Sequence, residues 1–334
     1  MTAAITLGAL IARSAQRLED AHQAGLLSFG QGTTNAHDEA SWLVLWQLGL
    51  PLDMDVAPLD KHLDGQASVL KDAQSGATSS NTTNTSPAFV DVQTLTDDQI
   101  AAVEQLIEKR ITTRQPAAYL TQEAWLQGVS FYIDERAIVP RSLIAEVLAD
   151  GSIDPWLHPN TTHVLDLCTG NGSLGILTAL AFPDVTVLGL DISNDALEVA
   201  RINVERHGLQ QRMQVMQSDG LQQAAQHAPS KGVFDLIVCN PPYVNAQSMA
   251  ELPQEFKAEP ELALAGGTDG MDFVRQLLQD APPHMSEHAV LVLEIGHERD
   301  YFEAAFPTLD VVWLSTSAGD DQVLLITRDA LLKI

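Results

Sequence analysis

An apolar run ends in four residues whose types suit chemistry on a carboxamide nitrogen: Asn240, Pro241, Pro242 and Tyr243. An amide nitrogen is a poor nucleophile, because its lone pair is delocalised into the carbonyl. The Asn240 side-chain oxygen and the Pro241 carbonyl can each accept one of its N–H groups. Two fixed acceptors orient the nitrogen and stabilise growing positive charge, while the Tyr243 ring can stack on the planar amide. The alternative interpretation is an ordinary Asn-Pro turn.

A glycine-rich turn follows another apolar run. It contains Cys168, Thr169, Gly170, Asn171 and Gly172. Glycines let the backbone turn sharply and let a ligand approach it closely. The spacing Gly-x-Gly-x-x-Gly also matches a dinucleotide fingerprint, so an NAD-dependent oxidoreductase is one alternative.

Three aspartates at the ends of predicted strands argue against a dinucleotide. Asp166 precedes the glycines, where a carboxylate can face an ammonium group, whereas a dinucleotide turn must accept a pyrophosphate anion. Asp191, followed by Ile192, is placed to bind both ribose hydroxyls, a feature that both cofactor classes share. Asp219 can accept a hydrogen bond from an adenine amino group. A carboxylate-rich pocket suits a cationic cofactor with an amine and a sulfonium, which is S-adenosylmethionine.

From residue 160 onwards, short apolar runs alternate with amphipathic segments. The runs predict strands at His163–Leu167, Val185–Leu190, Met213–Gln217, Phe234–Cys239, Ala289–Ile295, Val311–Ser315 and Gln322–Thr327. Helices are predicted at Leu174–Ala181, Asn194–His207 and Met271–Gln279. We therefore expect an α/β fold with a doubly wound, mostly parallel, seven-stranded Rossmann-like sheet. In such a sheet the turn, the aspartates and Asn240 would meet at the carboxyl ends of the strands, where ligands bind.

Residues 1–115 are predicted to form a smaller helical domain for substrate recognition. Asn35 is the predicted cap of one helix, and Thr96 opens the capping box of another. The composition changes within residues 65–94, and Ser75–Ser86 has neither a charge nor a large apolar side chain. Such a segment buries too little surface to offset its ordering entropy, so we expect a flexible loop there.

A β-hairpin is predicted as the connector between the two domains. Apolar and polar residues alternate around Gly128, and the hairpin is assigned to residues 116–140. The α/β domain then occupies residues 141–334. Cys168 follows one strand and Cys239 closes another that is its neighbour in this arrangement, so we expect the two cysteines to lie close together as free thiols.

The charge balance limits the kind of partner. The chain has 44 acidic and 18 basic residues, a formal net charge of -26. Such a surface repels nucleic-acid phosphates, so we expect a basic protein as partner and no direct nucleic-acid contact. No apolar run has the ~18 residues that a membrane span needs. Two cysteines cannot form a disulfide framework, and together with the lack of a signal peptide this favours the cytoplasm. No metal site is expected.

At these motifs the sequence resembles the NPPY class of amino-methyltransferases. The class includes DNA adenine and cytosine N-methyltransferases and the protein glutamine-N5 methyltransferases of the HemK type. The protein enzymes carry a helical N-terminal domain and a β-hairpin before the catalytic domain. The resemblance implies methyl transfer from S-adenosylmethionine to a glutamine amide nitrogen of a protein, with Asn240–Tyr243 as the catalytic segment.

Several segments resemble the branch that modifies large-subunit ribosomal protein uL3, rather than the release-factor branch. They are Asn35–Ala40, Tyr119–Trp125, Phe131–Arg136, Val139–Ser142 and Glu259–Leu264. The release-factor branch usually has Pro and then an acidic residue after the Pro-Arg pair, where this chain has Ser142 and Leu143. This sequence departs from the family pattern in two places. Residues 72–88 have no counterpart in the family, and Gly220 stands where release-factor enzymes often have an aromatic residue.

Three alternatives remain open at this point. Methylation of peptide-chain release factors is the nearest one. A DNA N-methyltransferase shares the tetrapeptide, but it needs a basic surface and a domain that reads a flipped base. An assembly factor that has lost catalysis would not need the complete set of cofactor and tetrapeptide residues, and cofactor binding measured by calorimetry would distinguish it.

Overall fold

The computed structural model describes residues 5–54, 95–224 and 233–333. The chain divides into two compact units, one made of Met1–Leu27 and Thr33–Thr113 and the other of Ser28–Gly32 and Arg114–Ile334. The short segment Ser28–Gly32 therefore groups with the second unit, which the sequence did not indicate. The loop expected within residues 65–94 lies outside the described residues.

The first unit contains three described helices: α1 (Leu7–Gln23), α2 (Ala36–Gln47) and α3 (Asp97–Thr113). The predicted caps of α2 and α3 are confirmed. The Asn35 side chain accepts a hydrogen bond from the Asp38 amide at 2.9 Å. Thr96 and Gln99 form a reciprocal capping box, because each side chain accepts from the other's backbone N–H.

A buried ion pair lies among the helices of the first unit. Arg110 on α3 is fully buried, and its Nε donates to Glu39 on α2 at 2.8 Å. Glu39 also accepts from the Thr33 hydroxyl at 2.8 Å. Removing one partner of such a pair leaves an uncompensated buried charge, which costs about 3–5 kcal/mol. The pair therefore fixes how α2 and α3 pack.

In the second unit a hairpin follows the short helix α4 (Ala117–Thr121), so the hairpin is shorter than the residues 116–140 that the sequence assigned to it. Strands β1 (Glu123–Leu126) and β2 (Val129–Tyr132) pair antiparallel. The two turn residues between them, Gln127 and Gly128, have φ of 49° and 74°. Positive φ at both positions is the geometry of a type I′ turn, whose twist matches that of the strands.

A seven-stranded sheet forms the centre of the second unit. Its strands are β3 (His163–Leu167), β4 (Thr186–Asp191), β5 (Met213–Gln217), β6 (Phe234–Cys239), β7 (Met285–Glu294), β8 (Val312–Thr316) and β9 (Gly319–Thr327). The order is β5-β4-β3-β6-β7-β9-β8; β9 pairs antiparallel with both β7 and β8, and the other described pairs of this sheet are parallel. The predicted fold class is confirmed. Strand β7 begins earlier than expected, because the exposed polar residues Glu287 and His288 interrupt the apolar pattern that predicts it.

Helices cover both faces of the sheet. They are α5 (Ile144–Ala149), α6 (Ser173–Ala181), α7 (Asn194–Arg206), α9 (Asp272–Asp280), α10 (Arg299–Ala305) and α11 (Arg328–Leu331). A further short helix, α8 (Ala246–Glu251), has no buried residue and lies in the connection that follows β6. Alternate residues of β3 enter different cores, with Val164 in one and Leu165 in the other. Among the described helices, none combines the length and apolar character that crossing a bilayer requires.

Strand order reverses between β3 and β6. The chain passes from β3 outwards to β4 and β5, and then returns to β6 on the opposite side of β3. The connections that follow β3 and β6 therefore diverge to opposite faces. This divergence opens a crevice at the carboxyl ends of the two strands, the usual ligand position in doubly wound sheets.

Candidate active site

A cavity of about 440 Å³ lies at the carboxyl ends of β3, β4 and β6. Small-molecule sites typically have volumes of about 300–1,000 Å³. Eleven of the thirteen site residues expected from the sequence line it: Cys168, Thr169, Gly170, Asn171, Asp191, Ile192, Asp219, Asn240, Pro241, Pro242 and Tyr243. The remaining two, Asp166 and Gly172, lie outside its wall.

Asp166 has a position different from the one expected. Its side chain is fully buried, and its Oδ2 accepts from the Thr169 hydroxyl and from the Gly175 amide, the latter at 2.8 Å. Gly175 lies in the first turn of α6, whose N-cap residue is Gly172 and has no side chain to offer. Asp166 Oδ2 therefore satisfies a helix N–H that would otherwise lack a partner. Burial raises the pKa of Asp166 to about 7.

Gly172 is required by helix packing. Its φ is 83°, and a Cβ built on it would lie 3.2 Å from the Cβ of Ala200 on α7. The absence of a side chain therefore lets α6 start close to α7, which explains why Gly172 lies behind the cavity wall. Asn171 also supports this turn, because its Oδ1 accepts from the Ser173 amide at 2.9 Å.

Asp191 connects the end of β4 to the glycine turn. One carboxylate oxygen accepts from the Gly170 amide and the other from the Ser193 amide, both at 2.9 Å. Burial raises the pKa of Asp191. Beside it, Ile192 is 45 % exposed and lines the cavity, so the wall has an acidic and an apolar surface next to each other. Asp219 adds a second, exposed carboxylate.

Tyr243 is held by neighbours on several sides. Its hydroxyl donates to Glu294 Oε1 at 3.1 Å. A Cβ at Gly266, Gly270 or Gly296 would come within 2.7, 2.2 or 2.5 Å of Tyr243 atoms, so any side chain at these glycines would displace it. Burial, reinforced by the nearby Glu294 carboxylate, raises the pKa of the Tyr243 hydroxyl. The phenol is therefore neutral and able to donate.

Glu294 is the main site residue that the sequence reasoning missed. It is the last residue of β7 and only 3 % exposed, and it also accepts from the Ser142 hydroxyl at 2.5 Å and the Leu143 amide at 2.9 Å. Burial raises the pKa of Glu294. The signal used for Asp191 was a carboxylate at the end of an apolar strand. In the predicted strand Ala289–Ile295, Glu294 is the one charged residue and the last but one, which is the signal that could have identified it.

The loop of residues 245–265 forms one side of the cavity. At its base, the Val244 amide donates to the Leu264 carbonyl and the Gly266 amide to the Val244 carbonyl, each at 2.9 Å. Side chains from the loop that line the cavity include Leu252, Phe256 and Leu262. The loop is thus closed at its ends by backbone pairing.

Two buried glutamates anchor the same loop. Glu259 binds both terminal nitrogens of Arg141, at 2.7 and 2.8 Å, and accepts from the Val139 amide at 2.9 Å. Glu255 binds Arg114 through two nitrogens, at 3.0 and 2.8 Å, and accepts from the Ser28 amide. Bidentate pairs of this kind fix orientation as well as distance. The first pair joins two segments on which the family resemblance rests, Val139–Ser142 and Glu259–Leu264.

The arginines of the cavity wall form ion pairs, whereas two of its aspartates form none with the residues described. Arg136 pairs with Asp134 at 2.7 Å and Arg141 pairs with Glu259, so both wall arginines are neutralised. Within the described ranges, neither Asp191 nor Asp219 takes part in an ion pair. The wall therefore presents an excess of negative charge.

Histidine is the side chain that most often accepts a proton near neutral pH, and three histidines of this chain, His37, His207 and His297, lie in different places. His297 is exposed and lines the cavity. His207 has a structural role, because its Nε2 lies 2.9 Å from the Ser130 carbonyl oxygen and its ring packs on Phe131. His37 is exposed at the start of α2 in the first unit. Only His297 is therefore placed to meet a ligand.

The two cysteines are neighbours and free, as predicted. Cys239 pairs in register with Leu167, the residue before Cys168. A hydrogen bond between the two thiols and burial raise the pKa of Cys168 well above its ordinary value. In the portion of the chain that is described, no group of three or more His, Cys, Asp or Glu side chains could hold a metal ion.

Comparison with known proteins identifies the family. The Methyltransferase small domain family matches residues 152–301. A solved METTL16 methyltransferase domain is 16% identical, covering 59% of this chain and 86% of its own, with a TM-score of 0.44. The ribosomal protein uL3 glutamine methyltransferase of Bordetella pertussis is 47% identical over 98% of this chain and 96% of its own. Proteins of the same name from Burkholderia pseudomallei and Neisseria gonorrhoeae are 47% and 45% identical, over 90% and 93% of this chain and 88% and 91% of theirs. The chain therefore belongs to the ribosomal protein uL3 glutamine methyltransferase family.

Proposed function

We propose that this methyltransferase modifies the side-chain amide nitrogen of a glutamine in ribosomal protein uL3, with S-adenosylmethionine as the methyl donor. The observation that carries the proposal is identity of 47% over 98% of the chain to a relative named for that activity. The geometry supports it, because Asn240–Tyr243 and the glycine turn line the same cavity.

The cavity wall fits a cationic cofactor. Asp191 and Asp219 are carboxylates without a partner ion among the described residues, whereas both wall arginines are already paired. Such a wall favours an ammonium and a sulfonium and disfavours a pyrophosphate. Asp191 and Ile192 would hold the adenosine part, and the Cys168–Asn171 turn the methionine part. When bound, S-adenosylmethionine supplies an electrophilic methyl group.

The chain's own residues prepare the amide. The Asn240 side-chain oxygen and the Pro241 carbonyl accept the two N–H groups, which turns the nitrogen lone pair away from the protein and towards the methyl donor. Pro241 and Pro242 keep these acceptors in place, since their rings restrict the backbone. Tyr243 offers its ring as a flat surface for the amide. Of the three histidines above, His297 is the one in the cavity wall, and it is our candidate for receiving the proton that the nitrogen loses.

The protein's charge supports a basic substrate. A net charge of -26 attracts a ribosomal protein rich in lysine and arginine and repels bare nucleic acid. The helical unit, within residues 1–115, is the proposed recognition domain, with residues 116–140 as the connector to a methyltransferase domain at 141–334. Because the substrate is a ribosomal protein, we place the reaction in the cytoplasm before uL3 is assembled.

The test is a labelling competition. Purified enzyme and tritiated S-adenosylmethionine are incubated with unassembled uL3, with a peptide-chain release factor and with duplex DNA, and labelled glutamine is located by mass spectrometry. We expect label on one glutamine of uL3. Label on the release factor alone would favour the other branch of the family, and label on DNA would refute protein methylation.

A further inference from the structure

Glu294 is a buried carboxylate that the chemistry above does not use. Desolvating an ionised carboxylate is costly unless hydrogen bonds compensate for the lost water. Here the compensation comes from three donors: the Ser142 hydroxyl, the Leu143 amide and the Tyr243 hydroxyl. All three belong to segments next to the cavity, so the carboxylate is surrounded by the site and not by the hydrophobic core.

The three hydrogen bonds are divided between the two carboxylate oxygens. Oε1 accepts from Tyr243, and Oε2 accepts from Ser142 and Leu143. Tyr243 and Ser142 both line the cavity, one after β6 and the other before α5. A single rigid carboxylate at the end of β7 therefore holds two separate parts of the wall at a fixed separation.

The glycines around Tyr243 pack against its backbone and ring, whereas Glu294 holds its hydroxyl group. Gly266 and Gly270 pack against the backbone of Tyr243, and Gly296 packs against one edge of its ring. These contacts are steric, so they limit the ring without fixing its direction. The hydrogen bond to Glu294 supplies the direction, since it ties down the far end of the side chain.

We propose that Glu294 is a positioning residue for the target amide, acting through the Tyr243 hydroxyl and the Ser142–Leu143 turn. The inference rests on the proposed function, because it assumes that an amide lies against Tyr243. It assigns Glu294 an effect on turnover and none on cofactor affinity, since the hydrogen bonds of Glu294 in the described structure go to Ser142, Leu143 and Tyr243 and not to the glycine turn or Asp191. Errors of about 1 Å in placement can cost on the order of 10²-fold in rate.

Asp235 offers a matched control at the opposite end of the sheet. It lies at the start of β6, where it accepts from the Ser286 hydroxyl at 2.8 Å and from the Thr162 and His163 amides at 2.9 and 3.0 Å. This is the same combination of one serine and two further donors, placed far from the carboxyl ends of the strands. Asp235 is half-buried whereas Glu294 is buried, so Asp235→Asn controls for the loss of a hydrogen-bonded carboxylate near a strand end and not for its burial.

The kinetic test compares Glu294→Gln, Tyr243→Phe, the double variant and Asp235→Asn. We expect Glu294→Gln to lower kcat about tenfold or more while the cofactor Kd changes less than about twofold. The double variant should be no slower than the slower single variant, since coupled residues are not additive. Asp235→Asn should keep kcat. An unchanged kcat in Glu294→Gln, or additive losses, would overturn the proposal. If Glu294→Gln does not fold, wild-type kcat in Tyr243→Phe overturns it equally.

A spectroscopic measurement separates this proposal from the proposed function. The chain has four tyrosines, so protein labelled with carbon-13 at the tyrosine Cζ gives four signals, and Tyr243→Phe identifies one of them. Glu294→Gln should shift the Tyr243 signal and Asp235→Asn should leave it in place. An unmoved signal refutes the positioning role, whether or not uL3 is methylated. Failure of the wild-type enzyme to label glutamine refutes the proposed function, and the tyrosine signal still tests the contact.

Discussion

At the scale of single residues, the group proposed to handle the amide and the groups proposed to hold the cofactor follow different strands. Asn240 follows β6 and lines the cavity, whereas Asp191 ends β4 and the glycine turn follows β3. The two sets come from different strands, so a change in one set can leave the other in place. Substitutions should therefore affect turnover and cofactor binding independently.

Asn240→Ala tests this separation. It removes one of two acceptors for the amide, so turnover should fall about 10²-fold or more while the cofactor Kd stays within a few-fold. Calorimetry gives the Kd and tritium transfer gives the rate. Asn160→Ala, in an exposed turn away from the cavity, is the control. Near-normal turnover in Asn240→Ala would show that the amide is held by other groups.

Asp166 leads to a prediction about pH. Burial raises its pKa from 3.8 to about 7, so in the folded protein it binds its proton more tightly than in the unfolded chain. Its neutral form therefore stabilises the fold fully below about pH 4, and this contribution is lost as pH rises towards 7. Between these values the free energy of unfolding of the wild type should fall relative to that of Asp166→Asn. Urea unfolding without cofactor measures both, and parallel curves would mean that Asp166 has an ordinary pKa.

At the scale of elements, the strands and turns were largely predictable and the connections were not. Three of the expected strands have the bounds that the structure shows, His163–Leu167, Met213–Gln217 and Phe234–Cys239, because each is a short apolar run ended by turn residues. The anchoring of the 245–265 loop was not predictable, since Glu255 and Glu259 have the composition of an exposed acidic segment. Their burial depends on Arg114 and Arg141, which are distant in sequence, and no local pattern reports such pairs.

A glycine next to Tyr243 tests how tightly the elements around the site fit. Gly296→Ala places a Cβ about 2.5 Å from the Tyr243 ring, too close to accommodate without moving it. We expect a lower melting temperature and a loss of turnover of about tenfold or more. Gly208→Ala is the matched control, because its φ of 67° is similarly strained but no atom lies within 4 Å of the added Cβ. Equal effects of the two substitutions would attribute the loss to backbone strain instead of to Tyr243.

At the scale of the whole molecule, charge determines which partners can approach. The chain has 44 acidic and 18 basic residues, and the electric field of this net negative charge extends beyond the range of any single contact. Exposed charges are screened over about 8–10 Å at moderate ionic strength, so this attraction depends on salt. The cavity wall has the same sign of charge, which means that the surface and the site favour the same kind of partner.

Salt should therefore weaken the capture of a basic protein substrate. Between about 50 and 500 mM sodium chloride, kcat/KM for uL3 should fall several-fold, mainly through KM, because steering by opposite charges is screened. A short glutamine peptide without lysine or arginine is the control substrate, since it is not attracted by the surface. Its kcat/KM reports any salt effect on the cofactor or on the chemical step, and dividing by it isolates the electrostatic contribution of the protein partner. If the two substrates respond equally to salt, the acidic surface serves solubility and takes no part in substrate capture.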